Sequence, residues 1–73
     1  MIEVRFFATL RGGRGKVTQI DAEKAVIAED ILRLFAIQPE EVSILLINGF
    51  HSKPGDFVKD GDVISLFPPV GGG

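Results

Sequence analysis

The group that could do chemistry at the end of this chain is the carboxylate of Gly73. Proline cannot donate to a sheet ladder and holds φ near roughly −65°, so two prolines stop any strand before them. Glycine has no Cβ and adds nothing to a core. Stretched out, the chain beyond Phe67 would reach about 20 Å. We therefore predict a flexible tail over residues 68–73 with this carboxylate as its functional group, the alternative being an unstructured end without a role. In order, the tail residues are Pro68, Pro69, Val70, Gly71, Gly72 and Gly73.

Other stretches carry reactive residue types, but none is typical of a catalytic or metal site. His51 is a single histidine in a chain without cysteine, so metal binding is not expected. The run Gly-Gly-Arg-Gly-Lys at 12–16 hints at a phosphate loop, but it lacks the first Gly and the Ser/Thr of that motif. Asp60 and Asp62 flank a glycine and are expected to shape a turn rather than to exchange protons.

Length and composition restrict the class of protein. The 73 residues make one domain, and 45% hydrophobic residues with six Phe can fill its core. The net charge of −2 gives no basic footprint for nucleic acid. The absence of cysteine excludes disulfides and thiolate or iron–sulfur ligation. The chain starts with a charged strand pattern and has no apolar run of about 20 residues, so we expect a cytoplasmic protein without signal peptide or membrane helix.

The first third of the chain has the pattern of a hairpin. From Ile2 to Ala8 apolar residues alternate with others, which predicts a half-buried strand with the even positions facing the core. Leu10 to Lys16 is rich in glycine and predicts a loop with Gly at left-handed positions. Val17 to Ile20 is the returning strand.

A helix is predicted next, from about Lys24 to Phe35. Its apolar stripe recurs at helical period, with Asp21 as a candidate N-cap and Pro39 as the terminator. Glu29 and Arg33 are spaced to pair on the opposite face. The predicted stripe consists of Ile27, Ile31, Leu34 and Phe35.

Two further strands complete the pattern. Val42 to Ile47 alternates and ends at Asn48-Gly49, a strong turn signal. Asp60-Gly61-Asp62 is a second tight turn, which leads into a last strand from Val63 to Phe67. A hairpin, a crossover helix and a terminal strand inserted beside the first give an α+β fold. We predict a β-grasp domain over residues 1–67, in which a mixed four- to five-stranded sheet packs on one helix and leaves its other face open.

Several of these segments together resemble the MoaD/ThiS family of ubiquitin-like sulfur carriers. The similarity covers nearly the whole chain, and the ending Phe-Pro-Pro-Val-x-Gly-Gly is closest to the small subunit of molybdopterin synthase. The glycine-rich loop Arg11 to Lys16 and the triple glycine depart from that branch. The segments that carry the resemblance are Ile2 to Ala8, Ile47-Asn48-Gly49, Lys59 to Asp62 and Leu66 to Gly73.

The resemblance implies a chemistry for the tail. An E1-like adenylating enzyme would use ATP to activate the Gly73 carboxylate, and a persulfide sulfur would then displace AMP to give a thiocarboxylate. In molybdopterin synthase the tail would deliver this sulfur to a pterin precursor in the large subunit. The chain would bind no cofactor of its own and would supply a substrate group rather than catalytic residues. A thiamine-pathway carrier, a modifier that forms isopeptide bonds, and a non-catalytic β-grasp interaction module remain the alternatives.

The open face of the predicted sheet offers a docking surface. Alternation from the core positions turns Phe7 and Phe67 away from the helix, and it does the same for Ile44 and Leu46 on the third strand. A contiguous exposed apolar patch marks a partner site. We therefore predict that these four residues bind the partner proteins, unless the register of a strand is displaced by one residue.

Overall fold

A computed structural model describes residues 1–69 of the chain. Within this range the backbone forms five strands, one α-helix and three short 3-10 helices. The 3-10 helices span Ala8–Arg11, Ala22–Lys24 and Pro39–Glu41. The strands and the helix are β1 (Ile2–Phe6), β2 (Val17–Ile20), α1 (Ala28–Leu34), β3 (Ile44–Ile47), β4 (Phe50–His51) and β5 (Val63–Phe67).

The sheet is mixed, with the order β2-β1-β5-β3-β4. The central pair β1 and β5 is parallel, with Phe6 opposite Leu66, and the other pairs are antiparallel. The terminal strand is thus inserted beside the first, as predicted, and the β-grasp fold is confirmed. Because β5 is central, the chain beyond Phe67 leaves from the middle of the sheet.

The core lies between one face of this sheet and α1. Strand alternation buries Ile2, Val4 and Phe6 almost completely, as the period-two pattern predicts. The ring of Phe6 meets that of Phe35 edge to face, with centroids 4.9 Å apart. The remaining buried hydrophobic residues are Leu10, Ala25, Ala28, Ile31, Leu32, Ile37, Leu45, Val58, Ile64 and Leu66.

Two tight turns match the sequence signals. Asn48 and Gly49 both have positive φ (53° and 84°), the combination that a two-residue hairpin turn requires, and they join β3 to β4. In the hairpin loop, Gly13 and Gly15 have φ of 73° and 82°, as predicted. The loop nevertheless begins with a 3-10 helix. Ala8, expected to continue the first strand inward, has φ 53° and is exposed, because the chain turns there and buries Leu10 instead.

The helix begins later than predicted. Ile27 is extended and forms an isolated antiparallel bridge with Phe57: the Ala28 N–H donates to the Asp56 carbonyl (2.9 Å) and the Val58 N–H to the Val26 carbonyl (3.0 Å). The Asp30 carboxylate then accepts from the N–H groups of Val26 and Ile27 at 2.9 and 3.0 Å, which caps α1. These backbone hydrogen bonds hold the pKa of Asp30 below its ordinary value. Asp21 makes no side-chain cap, although it precedes the second 3-10 helix.

The apolar stripe of the helix is also displaced from its predicted position. Leu34 is 47% exposed and Ile27 is only half-buried, whereas Ala28 and Leu32 join Ile31 in the core. Starting the helix at Ala28 fixes which residues face the sheet, and the stripe predicted from Ile27 is therefore wrong at two of its four positions.

The end of α1 and the charged residues on its outer face can be compared with the sequence prediction. The helix ends at Leu34, five residues before Pro39. Just after this end, Ala36 has a left-handed φ of 56°. The predicted pair of Glu29 and Arg33 is present at 3.3 Å. None of the helices in residues 1–69 is long and apolar enough to cross a membrane.

Candidate docking surface and tail exit

The tail leaves the sheet at the end of β5, where the residues next to β1 and β3 hold the backbone by hydrogen bonds. The Phe67 carbonyl accepts from the Ser43 N–H at 2.8 Å, and the Leu66 carbonyl accepts from the Phe7 N–H at 3.1 Å. Pro68 and Pro69 follow outside any strand. The predicted functional segment from Val70 to Gly73 lies outside the described residues.

Two phenylalanines stack beside this exit. Phe7 is extended (φ −120°, ψ 148°) and continues the alternation of β1, so its side chain points opposite to that of Phe6. Its ring lies on that of Phe67, with centroids 4.2 Å apart and planes inclined by 10°. Both side chains are half-buried. The structure thus places the two predicted aromatic residues together on the open face.

Ile44 and Leu46 extend this surface across β3. Ile44 is the register partner of Phe67 and is 39% exposed, whereas Leu45, the next residue of β3, is buried on the helix side. Leu46 is half-buried and lies opposite Ser65 of β5. The four residues therefore share one face of the sheet, and we call them the open-face patch: Phe7, Ile44, Leu46 and Phe67. That a partner binds there stays a prediction.

Sequence reasoning missed an arginine beside the patch. The Arg11 guanidinium lies 5.7 Å from the centroid of the Phe7 ring, and its Nε donates to the Phe6 carbonyl at 3.0 Å. Arg14 is held similarly, donating to the carbonyls of Leu10 (3.0 Å) and Phe35 (3.2 Å). The signal that could have found them is the density of cations, since Arg11, Arg14 and Lys16 fall within six residues.

The other sequence candidates take structural positions. Asp62 is 3% exposed, and its carboxylate accepts from the Asn48 amide (2.9 Å) and from the backbone N–H (2.9 Å) and ammonium (3.1 Å) of Lys59. Burial raises the pKa of Asp62, but these hydrogen bonds outweigh it and lower the pKa overall. Asp60 pairs with the amino terminus, which lowers the pKa of that carboxyl. His51 lies in β4 opposite Leu46, and a strand rather than a helix follows the glycine loop.

The fold is shared with solved structures of small β-grasp proteins. SAMP1 from Haloferax volcanii is 26% identical, with 99% of this chain and 98% of that chain covered and a TM-score of 0.75. A chain in the complex of subunits 1 and 2 of the molybdopterin-converting factor from Helicobacter pylori is 28% identical, with 99% and 97% covered and a TM-score of 0.64. The putative molybdopterin converting factor subunit 1 from Pyrococcus furiosus shares the fold at 21% identity, with 94% and 97% covered and a TM-score of 0.74.

A comparison with curated protein sequences gives no significant match. The family model described as the ThiS family matches residues 4–73, nearly the whole chain and the whole of the tail. Together with the β-grasp fold, this match establishes that the chain belongs to the ThiS family, the group of MoaD/ThiS-like sulfur carriers and ubiquitin-like modifiers.

Proposed function

We propose that this protein is a sulfur carrier that acts as the small subunit of a molybdopterin synthase, with the carboxylate of Gly73 as its reactive group. The observation that carries the proposal is the point at which the chain leaves the sheet. This point is Phe67 on the central strand β5, directly beside the stacked ring of Phe7. Docking through the open-face patch would therefore bring the tail into a partner's active site, while the domain itself stays folded outside.

The proposed chemistry proceeds in balanced steps. A carboxylate oxygen of Gly73 attacks the α-phosphate of ATP, pyrophosphate leaves, and an acyl adenylate forms. The pKa of a carboxyl terminus is ordinarily about 3.3–3.7, so the group is ionised and nucleophilic at neutral pH. The terminal sulfur of a persulfide then attacks the activated carbonyl and AMP leaves. A thiol cleaves the resulting acyl disulfide, forming a disulfide and leaving the thiocarboxylate on Gly73.

The proposed cycle needs two partners, of which one solved complex supports the second. An E1-like enzyme would bind ATP and supply the catalytic groups for adenylation. The Helicobacter pylori complex joins subunits 1 and 2 of the molybdopterin-converting factor, and the likeness of this chain to it supports a large-subunit partner that accepts the sulfur. The narrow glycine residues that end the tail suit its passage into the active sites of both partners.

A second function in the same family is protein modification. It is favoured by the likeness to SAMP1, which covers 99% of this chain at 26% identity. In that case a lysine amine would attack the carbonyl carbon of the same acyl adenylate, AMP would leave, and an isopeptide bond would form. A thiamine-pathway carrier would share the sulfur chemistry and differ in its acceptor, whereas a β-grasp interaction module would use the patch without any reaction at Gly73.

One experiment separates these functions. The protein is incubated with ATP, Mg²⁺, the E1-like enzyme of the same organism and a persulfide donor, and its intact mass is measured. Replacement of one oxygen by sulfur is the expected result, and subsequent addition of the large subunit and the pterin precursor should return the carboxylate. Lysine-linked conjugates in a lysate, without sulfur incorporation, would identify a modifier instead. A protein that forms no adenylate, while a control carrier reacts, would be an interaction module.

A further inference from the structure

At the end of the sheet where the tail begins, charges of opposite sign lie on its two sides, which we call the flanks. On the β1 side, the hairpin loop carries Arg11, Arg14 and Lys16, and the Phe6 N–H donates to the Lys16 carbonyl at 2.9 Å. On the β3 side, the third 3-10 helix carries Glu40 and Glu41, both exposed, and ends two residues before Ser43. The open-face patch and the tail exit lie between these flanks.

These charges are not neutralised within the domain. The ion pairs among residues 1–69 use the amino terminus, Arg5, Arg33 and Lys59 as cations, and none includes a charge of either flank. Two of the cations are also fixed in place. Arg11 and Arg14 donate to backbone carbonyls, which orients each guanidinium without cancelling its charge. The flanks therefore present a positive field, with two of its cations fixed, and a negative field on opposite sides of the end of β5.

We infer that this charge division orients the adenylating enzyme on the open-face patch, an inference that rests on the proposed function. The enzyme surface that receives the tail would carry an apolar spot with acidic groups on the side facing Arg11, Arg14 and Lys16. It would carry basic groups on the side facing Glu40 and Glu41. An apolar patch alone would hold the enzyme in contact but would let it bind in several rotated orientations. Opposite charges on the two sides of the patch select one of these orientations. The tail begins after Phe67, between the flanks, so the selected orientation would also direct the tail toward the enzyme's active site.

Charge reversal tests this inference through the rate of association. Lys16→Glu and Glu40→Lys change exposed side chains, and they alter the net charge in opposite directions. If the flanks orient the partner, both variants should lower the association rate constant with the E1-like enzyme of the same organism, each on the order of three- to tenfold at about 20 mM salt. The difference from the unmodified protein should vanish near about 0.5 M salt, where screening is strong.

Matched controls lie at the other end of the molecule. Lys24→Glu and Glu23→Lys carry the same charge changes in the second 3-10 helix, which follows the end of β2 near Ile2. They should leave the association rate nearly unchanged. The inference is overturned if the two flank variants shift the rate in opposite directions, as net charge alone would dictate, or if they behave like the controls. Thiocarboxylate formation at saturating enzyme would then still support the proposed function, whereas no reaction by the unmodified protein would overturn both.

Discussion

Phe7 and Phe67 stack with ring centroids 4.2 Å apart, on the face of the sheet opposite to α1. The contact follows from the parallel register of β1 and β5, which sets Phe6 opposite Leu66 and thereby brings together Phe7, which follows β1, and Phe67, the last residue of β5. The Phe7 N–H also donates to the Leu66 carbonyl. The stack thus joins the first strand to the last at the point where the tail begins.

This contact should contribute measurably to folding stability. Stacked aromatic pairs contribute about 0.5–1.5 kcal/mol beyond their buried area, and a double-mutant cycle isolates that part. We expect a coupling of this size between Phe7→Leu and Phe67→Leu in the free energy of unfolding, measured by urea denaturation. The same cycle with Phe7→Leu and Phe57→Leu should give no coupling, since Phe57 is 79% exposed in the segment that pairs with Ile27. Additive effects of the first pair would contradict the role of the stack.

Phe67 should also matter to partner binding. An aromatic residue central to an interface commonly contributes about 2 kcal/mol or more, so Phe67→Ala should raise the Kd for the adenylating enzyme about 30-fold. Isothermal titration calorimetry measures this constant directly. Phe57→Ala removes an exposed ring of the same kind outside the patch and is the matched control. An unchanged Kd for Phe67→Ala would remove this residue from the docking surface.

The last glycine should be required for the reaction and not for the fold. Deleting Gly73 moves the terminal carboxylate back by one residue, so a partner site built for the full tail would no longer hold it in position to attack ATP. The hydrophobic core consists of residues between Ile2 and Leu66, so the thermal midpoint should not change. Pyrophosphate exchange measures adenylation and circular dichroism measures the fold. Full exchange activity in the shortened chain would show that Gly73 is not the reactive residue.

Local patterns predicted the parts of the fold that depend on neighbouring residues. Val63–Phe67 has the predicted bounds because its alternation is bracketed by a turn and two prolines. Asn48-Gly49 turns as predicted because its positive φ angles suit those two residue types. The start of α1 depends instead on the pairing of residues 26–28 with residues 56–58, which are distant in sequence. A helical period cannot reveal such a contact.

The same distinction applies to the docking surface. Alternation along β1, β3 and β5 is enough to place the four residues of the open-face patch on one side of the sheet. Arg11 could not be placed in this way, because its position depends on a 3-10 helix and on a hydrogen bond to the Phe6 carbonyl.

The side of α1 that faces the core can be tested directly with two leucines of the helix. Leu32 is 1% exposed, whereas Leu34 is 47% exposed, although the helical period assigns Leu34 to the core. Leu32→Ala should lower the free energy of unfolding by about 2–5 kcal/mol, because it leaves a cavity. Leu34→Ala should change it by only about 0.5 kcal/mol. Urea denaturation of the two variants compares the same chemical change at two positions of one helix. Equal losses would place both leucines in the core.

Asp62 should make the stability of the domain depend on acid pH. Its carboxylate has a lowered pKa in the folded protein, so the folded state favours the ionised form relative to the unfolded chain, where the pKa has its ordinary value of 3.8. The resulting stabilisation is complete above that value and is lost as the pH falls through the lower pKa of the folded state. In Asp62→Asn, an NH₂ group replaces one carboxylate oxygen. This NH₂ group is a donor and would face the N–H donors of Asn48 or Lys59, so at least one hydrogen bond is lost. We expect a loss of about 2–3 kcal/mol at pH 7.

The pH profile distinguishes this effect from a general loss of packing. The stability difference between the unmodified protein and Asp62→Asn should stay constant from about pH 7 to pH 5 and then shrink below about pH 4, as Asp62 becomes protonated. Asp60→Asn is the comparison, because Asp60 is 76% exposed and pairs with the amino terminus of Met1, which is 57% exposed. Salt screens that exposed pair much more than it screens the hydrogen bonds that the buried Asp62 carboxylate accepts from Asn48 and from the Lys59 N–H. About 0.5 M NaCl should therefore abolish the effect of Asp60→Asn but not that of Asp62→Asn. A difference for Asp62→Asn that is as large at pH 3 as at pH 7 would show that packing, rather than the ionised carboxylate, is what the substitution removes.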